Sequence, residues 1–93
     1  MDSEDIAKLN TPRDYSRSLY KFYLEVGEFE DMALNTIKGL FGADRLHLIS
    51  SLDHGYELIM PIQMAPDVIR ELSHKNIGVY QLIRFAKVDG EWD

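Results

Sequence analysis

The chain has no cysteine, so disulfides and thiolate metal sites are excluded and a reducing, cytoplasmic setting is the simplest expectation. It also lacks any run of about 18 apolar residues, and no membrane insertion is expected. The first ten residues, MDSEDIAKLN, are acidic and polar, the opposite of a signal peptide. Positive charge is scarce: ten Lys and Arg against sixteen Asp and Glu leave a net charge of −6. That balance repels phosphate backbones over a Debye length of about 8 Å. Lys38, Arg45, Arg70, Lys75, Arg84 and Lys87 stand singly rather than in a basic stripe, so nucleic-acid binding is not expected. No Walker A sequence is present, which excludes that mode of ATP binding.

What is present suits one soluble domain. The 93 residues are 45% hydrophobic and 28% charged, enough for a single core and not for two. Residues 1–18 are polar and read as a flexible tail, residues 19–88 as the folded domain, and 89–93 as a charged C-terminal tail in which Trp92 either folds back or awaits a partner.

Within the domain the hydrophobic period switches several times. LYKFYLEV (19–26) alternates, with Tyr20, Phe22, Leu24 and Val26 on one face and Leu19, Lys21, Tyr23 and Glu25 on the other, which predicts a strand. Residues 28–42 place Phe29, Met32, Ala33, Ile37, Leu40 and Phe41 at helical spacing, with Gly42 as the stop. Residues 44–52 alternate again, setting Leu46, Leu48, Ser50 and Leu52 against Arg45, His47, Ile49 and Ser51. So do residues 56–64. Asp53-His54-Gly55 joins these two runs as a hairpin, its glycine supplying positive φ, and Pro61 marks a bulge or the strand's end. Residues 65–76 read as a helix with Pro66 in its first position, a stripe of Val68, Ile69 and Leu72, and Asn76 as its C-terminal cap. Residues 77–88 are rich in β-branched and aromatic residues and read as the last strand. The order β-α-β-β-α-β predicts an α+β, ferredoxin-like sandwich: a four-stranded antiparallel sheet with two helices on one face.

Candidate chemistry is thin. SSLDHG (50–55) holds the residue types of a nucleophile, a base and an orienting acid. Alternation sends Ser50 and Ser51 to opposite faces, however, and no glycine-rich elbow precedes either serine. The plainer reading is a turn in which Asp53 bonds backbone amides. A third possibility, a small enzyme using His54 with Asp53 and a serine, stays on the table beside it. His47, His54 and His74 fall on different elements without a metal-binding spacing, and no metal or other cofactor is expected. Glu25, Glu28, Glu30 and Asp31 cluster at the first strand-to-helix junction. There they either compensate the helix dipole or face a cation or a basic partner.

The most informative feature is the sheet face that two helices leave uncovered. Alternation assigns it Leu19, Tyr23, Ile49, Ile59, Tyr80 and Leu82, with Lys21, Arg45, Glu57 and Arg84 among them. Such a mixed face is either a solvated surface or one that meets another protein.

FYLEV, IKGLFGADRLHL, LDHGYELIM and above all APDVIRELSHKNIGVYQL make residues 22–83 similar to the C-terminal accessory domain of some ABC transporter ATPases. The last of these segments also resembles the end of ACT-type regulatory domains. The leucine- and glutamate-containing segment that closes the transporter domain is replaced by KVDGEWD, and VGEFED stands where ACT domains carry Pro-Gly. Either resemblance implies a non-catalytic ferredoxin-like module used for regulation or dimerisation. The expected function is therefore a regulatory or interaction module. It would bind a protein partner or a second copy through Tyr23, Ile49, Ile59, Tyr80 and Leu82, with Glu28, Glu30 and Asp31 as acidic contacts. The alternative is an acidic inhibitor or immunity-type protein that binds a basic enzyme, which those acidic residues would serve directly.

Overall fold

The computed structural model of the chain describes residues 18–27 and 30–92. The predicted N-terminal tail, except Ser18, lies outside them, as do Glu28 and Phe29. Strand β1 spans Ser18–Val26, and its alternation is real: Phe22, Leu24 and Val26 are buried, and Tyr20 packs against the same core. Helix α1 follows over Met32–Phe41. It buries Ala33, Ile37 and Phe41, four residues apart, while Met32, placed on the apolar stripe by spacing, is exposed. Gly42 stops the helix at φ 87°, its N–H bonding the Lys38 carbonyl at 2.9 Å.

The acidic approach to α1 differs from the dipole expectation. Glu30 and Asp31 take left-handed backbone angles, φ 50° and 61°, and both precede the helix. Asp31 holds the N-cap position without a side-chain cap bond, and the first turn carries no acidic residue. The chain turns sharply before winding, so these two carboxylates stand outside the helix and are exposed.

Ala43–Leu48 forms a 3-10 helix instead of the first half of a strand. Arg45 explains the difference: its Nη1 donates to the Phe41 carbonyl at 3.0 Å, folding the segment back over the end of α1. Strand β2 is thereby shortened to Ile49–Leu52. Strand β3, Gly55–Met60, buries Tyr56, Leu58 and Met60 and ends at the buried Pro61.

Helix α2 spans Met64–His74 and buries Val68 and Leu72, while Ile69 remains exposed. Pro66 is the third helical residue, two positions later than the sequence suggests. Its missing N–H still falls among the first-turn groups that have no intrahelical partner. Asn76, at φ 60°, closes the helix. Its N–H bonds the Ser73 carbonyl and that of Ile77 bonds the Leu72 carbonyl, both at 2.9 Å, while Ile77 buries itself against the core.

Strand β4 runs over Val79–Glu91, three residues past the predicted end. Trp92 then folds back, its ring edge-to-face with Phe41 at 4.9 Å and under the Arg45 guanidinium at 4.4 Å. The predicted charged tail is thus part of the packed domain up to Trp92.

The strands form one antiparallel sheet in the order β2-β3-β1-β4. This is the ferredoxin-like α+β arrangement the element order implied. The buried faces of both helices join Phe22, Leu24, Val26, Tyr56, Leu58 and Met60 in one core. Each of those large side chains contributes about 1.5–3 kcal/mol by leaving water. Among the described residues no polar or charged side chain is buried.

Candidate functional site

Directly paired residues of an antiparallel sheet point to the same face, so the register assigns the uncovered side. Around Tyr23 it forms three rows. One row pairs Ile59, Lys21 and Ala86. The middle row runs Ser50, Glu57, Tyr23, Ile83. The third runs Leu52, Gly55, Glu25, Gln81. Tyr23 and Ile59 are half-buried, whereas Leu52 and Ile83 are 47% and 46% exposed. Gln81 Nε2 donates to Glu25 Oε1 at 2.9 Å, fixing that carboxylate on the face. Lys21 makes no ion pair with a described residue.

Tyr23 and Ile59 therefore lie where alternation put them. Ile49 and Leu82 do not. Ile49 pairs with Leu58 and packs on the core side, because β2 begins after the 3-10 helix and its phase is opposite to that of residues 44–52 read as one strand. Leu82 pairs with Leu24 and also packs on the core. A register shift between Glu25 and Val26 inserts one residue into β4 and reverses its phase, so Ile83 takes the place expected of Leu82. Tyr80 sits in that irregularity, 69% exposed, with its ring over Gly27 and Gly78. Leu19 is buried beside Gly90. Arg45 belongs to the Trp92 contact, and Arg84 pairs with Phe22 and lies over the Tyr20 ring at 5.0 Å. Of the acidic candidates, Glu30 and Asp31 are exposed ahead of α1 and belong to none of the three rows, and Glu28 lies outside the described residues.

Leu52, Ile83 and Gln81 complete the face and were not singled out by sequence. Leu52 carried a usable signal, since the short Asp53-His54 connection fixes its pairing with Gly55. The bulge that turns Ile83 outward leaves no composition mark.

The hairpin tip is open. Ser50 pairs with Glu57 and Ser51 with the core residue Tyr56, so the serines occupy opposite faces. Ser50, Ser51, Asp53 and His54 are all exposed. Among the described residues none of the four makes a side-chain hydrogen bond, so Asp53 does not brace the turn as expected. A cavity of 350 Å³ beside the tip is bordered by Glu25, Ser51, Asp53 and His54. Among the described residues no cluster of three metal-ligating side chains exists. Among the described residues no helix is long and apolar enough to cross a membrane.

The edges of the sheet are blunted. β2 has four residues, and β4 is interrupted by three register shifts. Short and bulged edges disfavour strand addition. Fold and surface together define the class: a ferredoxin-like domain with a mixed, uncovered sheet face. Compared with known proteins, the chain matches no family model, no curated protein and no solved structure.

Proposed function

We propose that the chain is a non-catalytic regulatory or interaction module, acting in the reducing cytoplasm through its uncovered sheet face. The observation that carries this reading is the face itself. Tyr23, Ile59, Ile83 and Leu52 surround or adjoin Lys21, Glu25 and Glu57 on a surface that no described helix covers. Apolar anchors among a few placed charges are the composition of a specific contact. The exposed hairpin tip, where Ser50, Ser51, Asp53 and His54 make no side-chain hydrogen bond among the described residues, favours surface recognition over an assembled acid-base site. An accessory role beside an ABC transporter ATPase is compatible with the resemblance of residues 22–83 and would give the face a neighbouring domain to meet.

Chemical cross-linking in cells that produce the chain tests this. Wild-type chain is expected in higher-mass adducts. Tyr23→Asp and Ile59→Asp should abolish them with circular dichroism unchanged, whereas Asn35→Asp on α1 and Ser73→Asp on α2 should not. Adducts that survive both face variants overturn the reading. Adducts lost only on changing Glu30 and Asp31 would favour the acidic-inhibitor alternative.

A further inference from the structure

We infer that the occupant of the open face is a second copy of this chain, packed face to face about a two-fold axis through Tyr23. This rests on the reading of the face as an interaction surface and adds which partner fits it.

The three rows are self-complementary. Along β1, Lys21 and Glu25 are equidistant from Tyr23, two residues to either side, and both point outward. A two-fold axis parallel to the sheet, above its open face and across the strands, stacks Tyr23 on its symmetry mate and reverses the strand direction. Each Lys21 then meets a Glu25 of the other copy, giving two equivalent opposite-charge contacts. Gln81 already holds Glu25 in position, leaving its second oxygen to accept from lysine. The same operation sets each Ile59 over Gly55 of the other copy. Gly55 bears no side chain and cannot acquire one, since a Cβ there would stand 2.0 Å from the Leu24 carbonyl oxygen. A projecting isoleucine therefore faces an obligatory gap. The alternative axis, along the strands, would set Lys21 against Lys21 and is disfavoured.

One contact opposes association. Glu57 shares the middle row with Tyr23 and so faces its own mate. The patch is also small. Four strands at about 4.8 Å spacing and four residues at about 3.3 Å give on the order of 250 Å² in projection. Stable interfaces take about 800 Å² per partner, so this dimer is weak and forms only as concentration rises.

Sedimentation equilibrium on the full chain, up to about 1 mM, decides it. Wild type should pass from monomer to dimer. Lys21→Glu and Glu25→Lys should each weaken the dimer about ten-fold, and the double variant should restore it to within about three-fold. Glu57→Gln should tighten it by about two-fold or more. Glu25→Lys is the sharpest arm: it moves the net charge from −6 to −4 by exchanging one negative for one positive charge. If overall repulsion alone governed association, that variant would dimerise better than wild type. Circular dichroism confirms that each variant folds. A wild type monomeric throughout overturns the inference, and so does a double variant no better than the singles. A monomeric chain whose in-cell adducts still depend on Tyr23 and Ile59 removes only the second copy, while loss of that dependence removes the interaction reading beneath it.

Discussion

Gly55 shows how one residue can be read correctly for the wrong reason. In the sequence it marks the turn by the freedom of glycine to take positive φ. In the structure only Gly42 and Gly90, among the described glycines, have left-handed backbone angles. Gly55 is required because β3 approaches β1 so closely there that a Cβ would overlap the Leu24 carbonyl oxygen at 2.0 Å. Backbone cannot swing aside as a flexible side chain can, so the pairing of Glu25 with Gly55 would have to open. Gly55→Ala should therefore cost about 1–3 kcal/mol or more, the range for overpacking a tight site. Urea unfolding measures it, and a midpoint unchanged from wild type would show that the hairpin yields. Asn76 is the converse case. Its left-handed angle and the bonds of the following turn are those the sequence implied for a helix end.

At the scale of elements, α1 is less optimised than α2. Gly39 sits in the last turn of α1 with open space where a Cβ would stand, and nothing in the structure calls for a missing side chain. Gly39→Ala should raise stability by about 1 kcal/mol through helix propensity alone, read as a higher thermal midpoint. A loss would mean that a neighbour occupies that groove. The C-terminal residues work in the opposite sense. Trp92→Ala removes the edge-to-face contact with Phe41 and the Arg45 contact, and should cost about 1–3 kcal/mol in urea unfolding. No effect would return residues after Glu91 to the status of a tail. Legibility divides along the same lines. β1, β3 and α2 were readable because a long alternation, or an apolar stripe ending in a marked cap, admits one interpretation. β2 and β4 were misphased because a 3-10 turn can also carry leucines two apart, and a bulge adds one residue without changing composition. Ile49 and Leu82 were lost from the candidate face for those two reasons, and Ile83 was gained for the second.

For the whole molecule, the decisive asymmetry lies between the two sides of the sheet. One side holds the core, with Leu24, Leu58, Met60, Ile37, Phe41, Val68 and Leu72 fully buried. The other is covered by no described helix, with Tyr23 at its centre. The order of strands and helices along the chain was legible because it follows from the succession of periods. The composition of the open side was legible only in residues 21–25 of β1 and in β3; Leu19, assigned to it by alternation, is buried beside Gly90 at a register shift. Short and bulged edges disfavour extension of the sheet, which supports the proposal that this side is the contact surface. Hydroxyl-radical footprinting, comparing the chain in its producing cells with the purified chain at high dilution, tests this most directly. Tyr23, Ile59, Ile83 and Leu52 are expected to be labelled at least three-fold less in cells, while Met32 and Ile69, exposed on the helices, are labelled equally in both. Equal labelling of Tyr23 and Ile83 in the two settings, or protection confined to the helices, would contradict the assignment of the open face as the working surface.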